Sequence, residues 1–241
     1  MLGPTSSPPT LMQSTSLTLD ELDDRINKFC IARGWGKAHT PRNLLFALIG
    51  EMGELSEIFQ WRGEVAPGLP DFSEHDRIHT GEEMSDVLIY LMEMARCCGI
   101  DLAAATINKV SKNAKKYPPI EGLVDTTALY LVDPRALTFG TLAEETRKFS
   151  MARNWSTELT PRNLLLALVA EVGELSEIFQ WRGEVEPGLP DFTEHDKVHV
   201  GEEMADVLLY LVQLARVCGI NLSEAVQDKM LKNAIKYPAM K

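Results

Sequence analysis

The chain has 241 residues, a length that suits one or two globular domains. Hydrophobic residues make up 45% of it, which is enough to build a core and excludes wholesale disorder. The net charge of −11 argues against a surface that binds nucleic acid or an anionic membrane. No apolar run approaches the roughly 18–20 residues that a membrane-spanning helix needs.

The N-terminus and the cysteines give an expectation for the cellular compartment. Residues 1–17 are rich in Ser, Thr and Pro and lack the features of a secretory signal, so we predict a disordered tail. The four cysteines form no CxxC pair and lie in apolar helical patterns. That arrangement favours buried free thiols over disulfides or a zinc site. We therefore expect a cytoplasmic protein, with the nucleus as the alternative.

The sequence is an internal duplication with an offset of 120 residues. Residues 33–118 align with residues 153–238 without a gap, and 57 of the 86 positions are identical. The string GELSEIFQWRGEV occurs once in each copy. Because 120 residues is too long for one solenoid repeat, the sequence predicts two domain-sized copies. We place them at residues 18–118 and 137–241, joined by a linker over residues 119–136.

Each copy is predicted to contain four helices, described here with the numbers of the first copy. Helix 1 is predicted over Thr18–Arg33, since Thr18 and Glu21 have the spacing of a capping box. Helix 2 opens at Thr40, where a capping residue is followed by proline, and continues to about Trp61.

The second pair of predicted helices follows a loop rich in glycine and proline. Helix 3 begins after Ser73 and ends at Gly99, because glycine commonly terminates a helix. Helix 4 begins at Asp101, another good N-cap, and ends before Tyr117. No convincing alternation with a period of two is present, so the predicted fold class is all-α.

Acidic residues interrupt the apolar stripes of helices 2 and 3. In helix 2, Glu51 follows Leu48 by three residues and Glu54 precedes Ile58 by four, so both acids lie on or beside the apolar face. Helix 3 carries two acids with the same spacing, and the second copy repeats the pattern. The eight acids are Glu51, Glu54, Glu83, Asp86, Glu171, Glu174, Glu203 and Asp206.

Inward-facing carboxylates need a compensating positive charge, because an unpaired buried charge costs several kcal/mol. The stripe of helix 2 holds no basic residue, and ligands that are all oxygen favour Mg²⁺ or Mn²⁺ over zinc or copper. The sequence therefore predicts a Mg²⁺ site that can take a substrate phosphate. A solvated groove, or pairing with basic residues from elsewhere, remains the alternative. A di-iron site is disfavoured because no Glu-x-x-His motif is present.

Two motifs resemble those of a known family of all-α nucleoside triphosphate pyrophosphatases, the MazG-like family. They are PRNLLFALIGEMGELSEIFQW and EEMSDVLIYL, and the second copy has PRNLLLALVAEVGELSEIFQW and EEMADVLLYL. The chain resembles most closely the eukaryotic dCTP pyrophosphatase branch, in two tandem copies. The resemblance implies Mg²⁺-dependent hydrolysis of a nucleoside triphosphate, most simply dCTP, to the monophosphate and diphosphate.

The resemblance also implies roles for particular residues. The eight acids would hold the metal, and one of the helix 2 glutamates in each copy (Glu51 or Glu54, Glu171 or Glu174) would activate water. Aromatic residues would enclose the base: Trp35, Trp61, Tyr90, Trp155, Trp181 and Tyr210. The branch carries a histidine on helix 1 where this chain has Ile26 and Thr146, and His39 becomes Leu159 in the second copy. These departures leave the preferred base open and indicate that the two sites differ.

Basic residues on helix 4 recur in both copies and, by the same resemblance, would contact the triphosphate. A solvated charged face is the alternative, above all for Lys112 and its counterpart Lys232. The expected contact residues are Lys109, Asn113, Lys116, Lys229, Asn233 and Lys236.

The duplication itself predicts how the units assemble. Members of the family pair such four-helix units, so we expect an intrachain pseudo-dimer, with a dimer of chains as an open extension. Three functions remain in view: a dCTP pyrophosphatase, a dUTP-type or broad-specificity pyrophosphatase, and a non-catalytic protein that binds nucleotide or acts as a scaffold. We expect no nucleic-acid or membrane partner.

Overall fold

The computed structural model describes residues 17–155 and 157–240. This part of the chain is all-helical, as predicted, and its strands are limited to one isolated bridge between Thr18 and Thr138. The α-helices within it are α1 (Leu19–Ile31), α2 (Pro41–Gln60), α3 (Glu74–Cys98), α4 (Leu102–Lys116), α5 (Phe139–Ala152), α6 (Pro161–Phe179), α7 (Glu194–Cys218) and α8 (Leu222–Lys236).

The helix ends confirm the sequence prediction to within two residues in the first copy. Thr18 and Glu21 form the predicted capping box at the start of α1. Thr40 caps α2, and Pro41 occupies its first turn. Gly99 ends α3 with φ at 71°, a left-handed conformation that glycine adopts without strain. Local chemistry is enough to fix these boundaries.

The structure describes all of the predicted linker but only the last residue of the predicted tail. The tail lies outside the described residues except for Leu17, which is buried and donates its amide hydrogen to Ser223 Oγ at 3.3 Å. The predicted linker contains two 3₁₀ turns, Leu129–Leu131 and Pro134–Ala136, and the first begins with a fully buried leucine. This segment therefore contributes a buried side chain to the packed structure in addition to connecting the copies.

The helices pack across the boundary between the copies. Within each copy, α2 lies against α3 and α6 lies against α7. The last helix of each copy instead packs on the long helix of the other copy, α4 on α7 and α8 on α3. The four helices predicted for one copy therefore do not form one closed bundle. Small residues permit the crossing, because a Cβ built at Gly81 would lie 3.3 Å from Ala225 Cβ.

Backbone contacts between the copies occur in equivalent pairs. The amide of Gly68 donates to the carbonyl of Val217 at 2.8 Å, and the amide of Gly188 donates to the carbonyl of Cys97 at 2.8 Å. The loops after α2 and α6 therefore each hold the C-terminal end of the long helix of the other copy. The two halves of the chain contact each other reciprocally.

All four cysteines are free, as the spacing predicted, and three of them are buried. Burial raises the pKa of the Cys218 thiol to about 12, so this thiol remains protonated at neutral pH.

No single described helix is long and apolar enough to cross a membrane. Helices α7 and α8 taken together reach that length and hydropathy, but the chain bends by 101° between them.

We expect Gly81→Leu to destabilise the protein because the new side chain would collide with α8. Overpacking of this kind costs about 1–3 kcal/mol, so the Tm in a calorimetric scan should fall by several degrees. Gly36→Leu is the matched control, since an added Cβ there has no neighbour within 4 Å. An equal loss of Tm in both variants would contradict the close approach of α3 and α8.

Candidate active site

Three of the four predicted acids in each copy come together between the paired helices. In the first copy, carboxylate oxygens of Glu51, Glu83 and Asp86 all lie within 4.8 Å of one another. Their spacing explains this, because residues three apart share one face of a helix and α2 runs along α3. The second copy forms the same cluster from Glu171, Glu203 and Asp206.

The fourth predicted acid of each copy lies beside its cluster. Glu54 and Glu174 line the same cavities as the clusters, but their side chains are exposed. Within the described part of the chain, neither carboxylate takes part in a hydrogen bond or ion pair. Each therefore remains free to accept a proton from a molecule in the cavity.

The clustered carboxylates repel one another when all of them are ionised. Burial, followed by the charges of Asp86 and Glu54, raises the pKa of Glu51 to about 7. The same causes, with Asp206 first among the neighbouring charges, raise the pKa of Glu171 to about 7. Burial also raises the pKa of Glu83, although a nearby lysine opposes the shift. Additional positive charge at the cluster would relieve this repulsion.

The arrangement of donors fits a divalent metal ion. Glu83 Oε1 lies 3.2 Å from His79 Nε2, while Glu83 Oε2 is buried and has no hydrogen-bond partner among the described residues. Glu203 Oε2 is likewise buried and has no hydrogen-bond partner among the described residues. An unpaired buried oxygen is costly, and a set of carboxylate oxygens suits a hard cation. The residues that could hold such an ion are Glu51, Glu83, Asp86, Glu171, Glu203 and Asp206.

The lysines that face each acidic cluster come from the other copy. Lys229 on α8 forms an ion pair with Asp86, and Lys109 on α4 forms one with Asp206. An asparagine one turn further along each helix hydrogen-bonds the same carboxylate, Asn233 in α8 and Asn113 in α4. The sequence identified these residues but did not show that they cross between the copies.

The remaining lysines of α4 and α8 divide into two groups. Lys116 and Lys236 line the cavities, as expected for residues that contact a substrate. Lys112 and Lys232 instead form ion pairs with Glu202 and Glu82 and do not line the cavities. The solvated-face interpretation therefore fits this second pair.

A cavity adjoins each acidic cluster and has an aromatic wall. The cavity volumes are about 600 Å³ for the first copy and about 750 Å³ for the second, within the usual range for small-molecule sites. Trp35 meets Tyr237 edge-on with ring centroids 5.4 Å apart, and Phe29 with centroids 5.6 Å apart. Trp155 and Tyr117 repeat the edge-on contact at 5.4 Å. Such a wall can pack against a planar ring.

The tyrosines predicted from the motif also line the cavities. Tyr90 lies one turn beyond Asp86 on α3, and Tyr210 lies one turn beyond Asp206 on α7. Burial raises the pKa of Tyr90 to about 12, so its phenol stays neutral and can donate or accept a hydrogen bond.

The structure does not bring two predicted base-contacting residues to the cavities. Trp61 and Trp181 are each 88% exposed and do not line either of these two cavities. Trp61 instead lines a more open cavity, which shares Glu54 with the first. Both follow the end of a helix, where the chain turns away at Gly63 and Gly183 with positive φ. Their position past the packed part of the helix explains why they lie on the surface.

Several cavity residues were not identified from the sequence. The sequence analysis used Tyr117 only to mark the end of a helix and assigned neither it nor Tyr237 to the site. A Tyr-Pro pair follows both α4 and α8, and this recurrence could have indicated a shared role for the two tyrosines. Arg153 Nε donates to the carbonyl of Tyr117 at 2.7 Å, and Arg33 Nε donates to that of Tyr237 at 2.6 Å. Phe29, Phe149, Glu93 and Gln213 are among the other lining residues that sequence reasoning missed, as are Cys30 and Ser150.

Comparison with known proteins agrees with the geometry of the site. A MazG-like family profile matches residues 166–241. The chain is 41% identical over 114 residues to dCTP pyrophosphatase 1 of Homo sapiens, an alignment that covers 47% of this chain and 67% of the human protein. It is 44% identical over 101 residues to dCTP pyrophosphatase 1 of Rattus norvegicus, covering 42% of this chain and 59% of the rat protein.

These alignments have the length of one copy of the duplication. The chain spans 59–67% of the length of these two relatives. The human relative is matched over two thirds of its length at well over 30% identity, and the family profile falls within the second copy. The chain therefore belongs to the MazG-like family.

Proposed function

We propose that this chain is a Mg²⁺-dependent nucleoside triphosphate pyrophosphohydrolase that converts dCTP and water into dCMP and diphosphate. Such a reaction would remove surplus or modified nucleotides from the cellular pool. One observation carries the proposal: each cavity combines a buried acidic cluster, a lysine from the other copy and an aromatic wall. The relatives named dCTP pyrophosphatase support the choice of substrate.

The acidic cluster and the lysines would bind the triphosphate. When bound, Mg²⁺ supplies positive charge that carboxylate and phosphate oxygens can share. Glu51, Glu83 and Asp86 would hold it in the first site, since their oxygens already converge. Lys229 and Lys236 add positive charge from the facing helix, and a lysine binds phosphate as a point charge. The second site repeats this arrangement.

The free carboxylate beside each cluster would accept a proton from the attacking water molecule. Glu54 lines the cavity without an ion-pair partner in the described chain, so it can accept a proton from an attacking water molecule. The water oxygen forms a bond to the α-phosphorus as the bond from the α-phosphorus to the bridging oxygen breaks. Diphosphate then leaves with that electron pair. Glu174 has the equivalent position in the second site.

The aromatic wall would hold the base. Trp35 and Tyr237 form an edge-on pair that lines the cavity, and base–aromatic stacking contributes about 1–3 kcal/mol. Trp155 and Tyr117 would do the same in the second site.

We also propose that the two copies form an intrachain pseudo-dimer. Reciprocal crossing of α4 and α8 supports it, because each site takes residues from both copies. The covalent connection raises the effective concentration of one copy around the other. A further pairing of two chains would cover exposed apolar side chains on α2 and α6, namely Phe46, Ile49, Leu166 and Val169.

Glu51→Gln with Glu171→Gln should reduce diphosphate release from dCTP by at least about a hundredfold, because both clusters lose a charge. Each single variant should keep the activity of the other site. The measurement is product formation with Mg²⁺ and a panel of dNTPs and dUTP, and Asp71→Asn on the surface is the control.

The product distinguishes the remaining alternatives. Orthophosphate as the product would contradict the proposal, and nucleotide binding without hydrolysis would favour a non-catalytic binder. A kcat/KM that is highest for dUTP, or equal across the panel, would favour a dUTP-type or broad-specificity enzyme.

Lys229→Met should damage only the site that contains Glu51, although the two residues lie in different copies. In a Glu171→Gln background we expect kcat/KM to fall roughly 10- to 100-fold, as for loss of a hydrogen bond to a charged group. In a Glu51→Gln background the remaining activity should not change. Lys232→Met, which alters an ion pair outside the cavity, is the matched control. Equal effects of Lys229→Met in both backgrounds would contradict the crossing.

Without metal, the protein should lose stability as pH rises from about 4.5 to about 7. The folded-state pKa of Glu51 and Glu171 is raised to about 7, so the folded state keeps protons that the unfolded state releases above its lower pKa. This contribution to stability is complete below pH 4.5 and disappears by pH 7. Mg²⁺ should restore it at pH 7.5 and have little effect at pH 5.

The measurement is Tm against pH in chelator and in Mg²⁺, for the wild type and for Glu51→Gln with Glu171→Gln. The difference between the two proteins isolates these carboxyl groups. Parallel curves at every pH, with no response to Mg²⁺, would contradict the assignment of the cluster.

A further inference from the structure

The two cavities differ at the end away from the acids. The acids and the lysines, asparagines and tyrosines of the α4 and α8 segments are the same in both, but five lining positions carry different chemistry. Glu93 lies seven residues beyond Asp86, which is about 10 Å along α3. A nucleotide with its phosphates at the acids would place its base near this position. The differing pairs are Ile26 and Thr146, Cys30 and Ser150, Ala38 and Glu158, His39 and Leu159, and Glu93 and Gln213. Of the first-cavity members, Cys30, His39 and Glu93 are joined by hydrogen bonds.

In the first cavity, Glu93 is fixed as an acceptor of hydrogen bonds. Its Oε1 is bound by the Arg96 guanidinium and accepts the Cys30 thiol hydrogen at 3.3 Å, and its Oε2 lies 3.0 Å from His39 Nδ1. A carboxylate has about four lone-pair sites, so one remains. Because Glu93 is 5% exposed and lines the cavity, that site can meet a ligand.

When its ring is neutral, His39 presents a second acceptor in the same region. Its Nδ1 faces a carboxylate oxygen, and in the neutral ring the hydrogen resides on the nitrogen that faces the acceptor. The other ring nitrogen, Nε2, then carries a lone pair. His39 also stacks at an angle against Trp35, with ring centroids 5.8 Å apart. The first cavity therefore combines acceptors with the aromatic wall.

In the second cavity, Gln213 can serve as either a donor or an acceptor. Ser150 Oγ lies 2.9 Å from the Thr146 carbonyl and 3.2 Å from Gln213 Oε1. The hydroxyl has one hydrogen, and when it goes to the carbonyl the amide can turn and donate to Oγ instead. The Gln213 amide can then present either its hydrogens or its oxygen to the cavity. Leu159 contributes no polar atom where the first cavity has His39.

The cluster of Cys30, His39 and Glu93 is better suited to hydrogen bonding than to metal binding. Their possible ligand atoms lie within 4.8 Å of one another. However, the Arg96 guanidinium already neutralises Glu93, and it is held in turn by the carbonyl of Asp23 at 3.0 Å. A metal ion would have to displace this half-buried guanidinium.

We infer that the first site selects bases with an exocyclic amine, while the second site accepts pyrimidines with either an amine or a keto oxygen at position 4. Cytosine offers an amine there, which acceptors bind, and uracil and thymine offer an oxygen, which acceptors repel. The inference rests on the proposed function, because it requires the triphosphate to lie at the acids.

Single-site variants test this difference directly. With Glu171→Gln only the first site works, and with Glu51→Gln only the second. We expect the ratio of kcat/KM for dCTP to that for dUTP to be roughly 10- to 100-fold higher at the first site, the size expected when a buried acceptor loses its partner. Equal ratios at the two sites would overturn the inference.

Exchanging the key residue should exchange the selectivity. Glu93→Gln should lower the ratio at the first site, and Gln213→Glu should raise it at the second. The second variant should fold, because Arg216 Nε is buried without a partner in the described chain and would gain a carboxylate. Met94→Leu, a buried neighbour on α3 changed to the residue of the second copy, is the matched control. If neither substitution changes the ratio of kcat/KM for dCTP to that for dUTP, the role of this position is refuted.

Binding measurements separate this inference from the proposed function. Trp35 and Trp155 line the cavities, so their fluorescence should report titration with dCMP or dUMP without turnover. Absence of hydrolysis would refute the proposed function alone. The titration is followed in Trp155→Phe, which keeps the cavity tryptophan of the first site, and in Trp35→Phe, which keeps that of the second. Equal preference for dCMP over dUMP in these two variants would refute the inference even in an active enzyme.

Discussion

The two sites depend on negative charge that neither copy can neutralise by itself. Three carboxylates converge between two packed helices, and burial raises their pKa values. The ion-pair partner of Asp86 is Lys229, which lies in the other copy. The helix that carries this lysine must therefore cross to the opposite long helix. Small residues at Gly81 and Gly201 make room for the crossing.

Crossing of α4 and α8 makes each site a joint product of both copies. A single copy would keep its acids and its tryptophan but lose the lysine, the asparagine and the tyrosine that face them. Two separate chains would need to associate before either site was complete, at an entropic cost. In one chain this cost becomes a loop-closure term that grows only slowly with loop length. The segment between the copies adds packing of its own, because it contains buried Leu129.

Local chemistry explains why the sequence predicted the helices and most of the acids. Capping residues such as Thr18 and a terminal Gly99 act over a few residues, and the placement of Glu51 follows from helical periodicity. The partner of α4 could not be predicted, because an amphipathic stripe shows that a face is buried without showing against what. The exposure of Trp61 depends on where the chain turns after α2, which periodicity does not specify.

The crossing also explains where the copies are able to diverge. A change on α4 or α8 acts on the site built on the acids of the other copy. Lys109 and Lys229 show this, since each forms an ion pair with the equivalent aspartate of the other copy. A change at Glu93, by contrast, alters only the site built on its own copy, since its contacts run to α1 and to the start of α2. Gln213 with Ser150 forms the corresponding local group. Under the proposed function, selectivity for the base can therefore change in one site without altering the lysines proposed to bind phosphate in either.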